Sequence, residues 1–357
     1  MNSAHWQAIR GHGAVAERFR CALTRGRLAS SFLFVGPAGI GKRAFALQLA
    51  QALLCERARD EDFAPCGACP SCRQVAGGNH PDVSIIEKPA DKAFIPVELF
   101  IGDVEHRMQS GLCSQIALKP FSGRRKIAII DDADYLNKEG ANSLLKTLEE
   151  PPPKSLLILI GTSEQRQLPT IRSRCQVIRF RPLAENDVAE ILLSEGFCED
   201  RGLAASAAAE SQGSMERARM WLDSAALDFR KELFTALASS AANQQEIAKL
   251  VSQFVDAAGK ESAAKRHRLR HVASMAAEFY RAVLVFGQTN ASQAESETEA
   301  MAMRAASWMN TNEGALACLE LCEKALAGVD ANANQATLIE WWLDELAVAA
   351  RTGGVAV

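Results

Sequence analysis

No apolar run in this sequence approaches the roughly 20 residues that a membrane helix needs, which argues against a helical membrane protein. The opening residues, MNSAHWQAIRGHG, contain no apolar signal core, so a cytoplasmic location is expected. Charge of one sign is not in excess either: 40 Lys and Arg face 43 Asp and Glu, a net charge of -3. That excludes a chain coated with positive charge for nucleic acid, while leaving room for a local basic face. The ten cysteines do not form a disulfide pattern. Four crowd together as Cys55, Cys66, Cys69 and Cys72 and the rest are scattered, which suggests a metal site plus buried thiols in a reducing compartment. What remains is a globular composition, 48% hydrophobic over 357 residues, long enough for two or three domains.

Within that frame the first half alternates strands and helices. Ser31 to Val35 is an apolar run that stops at Gly36, and from Arg43 the residues Phe45, Ala46, Leu49, Ala52 and Leu53 recur at helical spacing. Further strands are predicted over Val83 to Ile86, Lys126 to Ile130 and Leu156 to Ile160. A helix from Lys138 to Glu150 carries Leu144, Leu145 and Leu148 on one face, and Pro151, Pro152 and Pro153 end it. Apolar strands separated by helices predict a parallel sheet covered on both faces. After Pro182 the strand signals stop. Residues 183–223 read as a small helical unit and 224–357 as a larger helical one, with a loop predicted over Gly287 to Ser296.

The segment Gly36-Pro37-Ala38-Gly39-Ile40-Gly41-Lys42-Arg43 fits a phosphate-binding loop up to its last position. Its glycines, Gly36, Gly39 and Gly41, let backbone N–H groups close around phosphates, and Lys42 reaches the outer ones. The last position normally holds a Ser or Thr whose hydroxyl ligates magnesium. Arg43 has no lone pair to offer and carries a positive charge, so it repels the cation. Phosphate binding stays open on this reading, whereas metal-assisted hydrolysis is not expected. Asp131 ends an apolar strand where a metal-side aspartate belongs. Asp132 follows, one methylene shorter than the glutamate that aligns water in ATPases of this kind, and a positioning error of about 1 Å costs about 100-fold. The same acidic pair also reads as a helix N-terminal cluster with Asp134. The two readings are compatible.

Cys55, Cys66, Cys69 and Cys72 supply four thiolates, the set for tetrahedral zinc. Pro65, Gly67 and Pro70 suit the turns between them. Iron–sulfur ligation is the alternative, and structural zinc is favoured on ligand type and number. A four-thiolate shell is closed, so the metal is expected to be structural, not catalytic.

These features resemble the clamp-loader branch of the AAA+ family. The match runs through GRLASSFLFVGPAGIGKRAFA, the cysteine insertion, GNHPD at Gly78 to Asp82, KIAIIDDADYLNKEGANSLLKTLEEPPP, and LPTIRSRCQVIRFRPL at Leu168 to Leu183. It is dense from about Trp6 to Leu183. The resemblance implies an α/β P-loop (AAA+) fold over 1–182 with a zinc insertion at about 55–72, a helical lid over 183–223 and an all-α collar over 224–357. It implies a DNA polymerase III clamp-loader subunit, working beside gamma/tau and delta subunits, with the sliding clamp and primer–template DNA reached through the complex. Arg174, in Ser173-Arg174-Cys175, matches the family's arginine finger, which stabilises phosphoryl charge at a neighbour's ATP. Arg172 and Arg179 are the nearby alternatives. Thr162 and Ser163 fall in the region that senses nucleotide.

Within the branch, Arg43 and Asp132 favour a subunit with a degenerate ATP site over an ATP-hydrolysing gamma/tau-type subunit, which stays as the alternative. In Gly213-Ser214-Met215-Glu216, motor subunits place a sensor arginine at the fourth position. Here Glu216 stands there with Arg217 beside it, and a slip of one residue would restore an arginine. A P-loop phosphotransferase unrelated to replication is the third reading. The run Lys265 to His271 reads first as a solvated helix face and second as a phosphate contact.

Overall fold

A computed structural model describes residues 10–59, 63–107, 109–240, 243–288, 297–309 and 312–352. By its internal contacts the chain divides into two compact units, residues 1–89 with 94–223, and residues 90–93 with 224–357.

The first unit is built on five parallel strands: β1 (Ser31–Val35), β2 (Val83–Ile86), β3 (Lys126–Ile130), β4 (Ser155–Gly161) and β5 (Gln176–Arg179), in the order β2-β3-β4-β1-β5. β1, β3 and β4 are buried along their whole length. That explains why they are continuous apolar runs with no polar alternation. Successive side chains point to opposite faces. Phe32 and Phe34 therefore join Phe45, Leu49 and Phe180 on one side. Leu33 and Val35 join Phe100, Leu144 and Leu159 on the other. The structure thus has the expected parallel α/β sheet with helices on both faces. β5 is missing from the strands read off the sequence. It is a short edge strand with only Ile178 buried, so it carries no apolar run.

The helix expected after the loop is Lys42–Leu54, and the leucine-bearing helix is Lys138–Glu149. GNHPD turns out to be a structural joint. The fully buried Asp82 accepts backbone N–H bonds from Phe121 (2.7 Å) and Ser122 (2.8 Å), with Lys126 Nζ at 3.5 Å. His80 Nδ1 accepts from Asp82 N at 3.0 Å, and its Nε2 meets Ser71 Oγ at 2.9 Å. Burial alone would raise the Asp82 carboxyl, but the N–H donors and Lys126 outweigh it and hold it below its ordinary value of 3.8. A carboxyl depressed on folding stabilises the fold above its unfolded value and loses that contribution as pH falls through the folded one. Asp82→Asn is therefore expected to cost about 2 kcal/mol at pH 7. The gap from wild type should close only below about pH 4, as read from urea midpoints at pH 7 and pH 3.

Residues 183–223 pack within the first unit. Their small core is Leu183, Val188, Leu192, Ala204, Ala208 and Ala218. All regular elements among the second unit's described residues are helices, with Phe234, Phe279, Leu321 and Trp342 in its core. One of its helices runs from Ser262 to Gln288, so Gly287 and Gln288 are helical where a loop was expected. Residues 289–296 of that predicted loop lie outside the described residues.

The basic run on this helix is engaged inside its own unit. Lys265 Nζ donates to Asp256 (2.6 Å), Arg268 Nη1 to Phe254 O (3.0 Å) and Arg266 Nη2 to Ala90 O (2.6 Å), and Arg270 pairs with Asp330. No described helix is long and apolar enough to cross a membrane.

Candidate nucleotide site and cysteine knot

The glycine loop joins β1 to the helix Lys42–Leu54, as its pattern requires. Two of its glycines are required by close approach as well as by backbone. Gly36 has φ 152°, and a Cβ there would lie 2.5 Å from Phe180 O. Gly39 has φ 74°, and a Cβ there would lie 2.3 Å from Ser214 Oγ and 2.9 Å from Glu216 Cβ. Gly41, φ 91°, caps the helix.

Four carbonyls of this loop and its lysine are bonded within the chain. Lys42 is buried, and its Nζ donates to Gly36 O and Pro37 O, both at 2.6 Å. Burial lowers its pKa, and the Asp131, Asp134 and Asp132 carboxylates oppose that shift. His12 Nε2 lies 2.6 Å from Ile40 O. A carbonyl can only accept, so that nitrogen carries the hydrogen. Burial lowers the His12 pKa and keeps the ring neutral. Met215 N donates to Gly39 O at 2.8 Å. A phosphate reaching Lys42 would have to displace bonds the loop already makes.

Arg43 explains the missing hydroxyl. The register Ile86↔Ile130 sets Glu87 and Asp131 side by side at the C-terminal ends of β2 and β3. Two adjacent carboxylates need a cation. Arg43 Nη1 supplies it, donating to Asp131 Oδ2 at 3.2 Å and to Glu87 Oε2. Asp131 Oδ1 is taken as well, accepting Asp132 N at 3.0 Å. A guanidinium thus bridges the two carboxylates at the ends of β2 and β3. Asp132 sits in left-handed backbone at φ 55°. Burial and then Asp131 raise its carboxyl pKa, which weakens it as an anionic water-aligning group.

Thr162 is close to the loop, since Gly36 N donates to Thr162 O at 3.2 Å. Its side chain is committed elsewhere: Asp134 accepts from Thr162 N (2.9 Å) and Oγ1 (2.5 Å), and also from Gln167 Nε2. Ser163 Oγ accepts Arg166 N at 3.4 Å. The register around Ser214 keeps Glu216, not Arg217, against Gly39, while Arg217 Nη1 reaches Gln212 Oε1 at 2.6 Å.

Arg174 lies just before β5, away from the chain's own loop residues. Its Nε donates to Glu149 Oε1 at 2.8 Å, its Nη2 donates to the same oxygen, and its Nη1 donates to Thr170 O at 3.0 Å. The side chain is 31% exposed. Arg179 Nε pairs with Glu164 at 2.5 Å, and Arg172 is exposed.

The four cysteines converge. The Sγ atoms of Cys55, Cys66, Cys69 and Cys72 all lie within 4.8 Å of one another, and a tetrahedral zinc–thiolate shell needs about 3.8 Å. Backbone N–H groups of Cys66, Cys69 and Cys72 each donate to the preceding cysteine's sulfur at 3.3 Å. N–H donation, from Ala68 first, pulls the Cys66 thiol down towards the thiolate, while burial pushes Cys72 up. A set of four sulfurs ringed by N–H donors fits a structural metal. Gln51 Nε2 to Cys72 O (2.8 Å) and Ser71 Oγ to Leu54 O (2.9 Å) tie this cluster to the helix that begins at the glycine loop, and Arg124 Nη1 to Ala58 O (3.0 Å) ties it to the turn before β3.

Sequence reasoning placed Arg43, Asp131, Arg174 and the cysteines but missed Glu87, His12 and Glu149. Glu87 had a signal, as it ends an apolar strand just as Asp131 does. Glu149 lies in the LLKTLEEPPP stretch but nothing there marks its partner, and His12 stands alone in the sequence.

Residues 11–184 match the family model described as DNA polymerase III, delta subunit. The DNA polymerase III subunit delta' of Pseudomonas aeruginosa is 39% identical over 151 residues, 42% of this chain and 43% of that protein. The subunit delta' of Bacillus subtilis is 33% identical over 174 residues, 49% of each chain. The subunit gamma/tau of Mycobacterium tuberculosis H37Rv is 31% identical over 200 residues, 56% of this chain and 32% of that protein. The matches to the two delta' relatives thus span under half of each relative's length.

Proposed function

Over residues 11–184 this chain belongs to the DNA polymerase III delta' family, and from that premise we propose that it is a clamp-loader subunit with a silent ATP site. In this reading it helps a ring of ATPases place the sliding clamp on primed DNA, and its own contribution to ATP chemistry is Arg174, presented to a neighbouring subunit. The observation that carries the reading is the Arg43 guanidinium lodged between Asp131 and Glu87. Magnesium normally takes a hydroxyl and a carboxylate at that corner of the fold. Here the carboxylates are already neutralised by a charge that cannot be deprotonated. Lys42 bound to its own loop, and Thr162 bound to Asp134, support the same conclusion.

Residues 1–182 then form the P-loop module, 183–223 its lid and 224–357 the collar that joins the ring. The four cysteines hold a structural zinc ion that fastens the insertion to the module. The partners are gamma/tau and delta subunits, and the chain meets the clamp and primer–template DNA within the complex. The test is reconstitution. The purified chain, mixed with gamma/tau and delta, should co-elute as one larger species in size-exclusion chromatography. A chain that elutes alone, and phosphorylates a small molecule, would instead support a stand-alone phosphotransferase.

A further inference from the structure

We propose that Glu149 is a positioning residue for Arg174: it holds the guanidinium in the pose in which it meets a neighbour's ATP. The inference rests on the reading of Arg174 as a group acting across a subunit boundary.

Glu149 is the last residue of the helix Lys138–Glu149. A carboxylate is disfavoured at a helix C-terminus, where the backbone carbonyls already carry partial negative charge. The helix cannot extend past it, because Pro151, Pro152 and Pro153 follow. Its position is therefore fixed by local sequence, while its charge gains nothing from its own helix beyond Lys146 in the last turn. What compensates is Arg174, 25 residues on, whose Nε and Nη2 both donate to Glu149 Oε1.

The turn before β5 holds the guanidinium from its other side, through Nη1 to Thr170 O (3.0 Å) and Ser173 Oγ (3.3 Å). Two separate elements thus fix the plane of the fork, yet Arg174 remains 31% and Glu149 49% exposed. The charge is oriented without being hidden. An arginine side chain has many rotamers to lose. A side chain already oriented loses less of its freedom when phosphate arrives, and a misplacement of about 1 Å costs about 100-fold in rate. Glu149 touches no reacting atom in this scheme. It acts through Arg174.

The test uses the reconstituted complex and compares Glu149→Ala, Glu149→Gln, Arg174→Ala and the Glu149→Ala/Arg174→Ala double variant. Expected are normal assembly, an unchanged KM for ATP, and a kcat that falls about 10- to 100-fold at the served site in Glu149→Ala. Glu149→Gln, which keeps an acceptor oxygen and the side-chain shape, should fall between that variant and wild type. On the Arg174→Ala background, Glu149→Ala should add nothing, because a residue acting through another has no effect once the other is gone. Losses that multiply in the double variant would mark a general structural role and overturn the proposal. So would an unchanged kcat in Glu149→Ala beside a lowered one in Arg174→Ala. If Arg174→Ala itself has no effect, the finger reading fails and this inference fails with it, so the two failures are told apart.

Discussion

Arg174→Ala is expected to leave the reconstituted complex at its full size while the ATP site it serves loses about 10³-fold or more in turnover. The two effects separate because the side chain does different things for folding and for chemistry. For folding, Arg174 makes a partly exposed ion pair with Glu149 and bonds to the turn. Exposed pairs of this kind contribute about 0–1 kcal/mol, so its loss should hardly move the melting temperature. For chemistry, a guanidinium beside a transferring phosphoryl group stabilises charge that develops only in the transition state. Lysine should rescue poorly, since it lacks the planar fork that meets two oxygens at once. The readout is DNA-stimulated ATP turnover of the assembled complex. Turnover equal to wild type would remove the role from Arg174 and leave Arg172 and Arg179 as the candidates.

The second large effect is expected at the cysteines. Elemental analysis should give about one zinc per chain, and Cys69→Ser should bring it to about none, because a closed four-thiolate shell tolerates no missing ligand. Structural zinc binds zinc-finger peptides with apparent free energies of about 10–16 kcal/mol, so the local cost of losing it is large. It falls first on residues 55–76, which have only a small core of their own around Cys55, Cys69 and Cys72. The damage should spread through Gln51 and Ser71 to the helix Lys42–Leu54, and through Arg124 to the turn before β3. Chelation of the wild type should reproduce the variant's lower melting temperature and raise protease cleavage within residues 63–76. Iron in the analysis, with visible absorbance, would replace zinc by a cluster. An unchanged melting curve for Cys69→Ser would remove the metal altogether.

How much of this was legible beforehand depended on sequence distance. β1, β3 and β4 were readable because burial on both faces leaves one continuous apolar word each. β5 was not, because an edge strand with exposed Gln176 and Arg179 spells nothing. The defect at Arg43 was visible as a missing hydroxyl, but its consequence was not. Glu87 lies 44 residues away from Arg43, and only the pairing of β2 with β3 brings it to Asp131. The acidic cluster likewise hid a division of labour. Asp131 pairs with Arg43, Asp132 is half-buried beside it, and Asp134 holds Thr162 and Gln167. Glu149 carried no separate signal, because its partner Arg174 lies 25 residues on. The basic run from Lys265 looked like a surface, and four of its side chains prove to be bonded within their own unit.

The claim beneath all of this is that Arg43 has taken magnesium's place, so this chain's own loop is silent. The most direct test is magnesium-dependent ATP turnover by the purified chain, compared with Lys42→Ala. The account predicts no turnover above background in either protein. A magnesium-dependent rate that Lys42→Ala abolishes would contradict it and return the chain to the working ATPases of the gamma/tau kind.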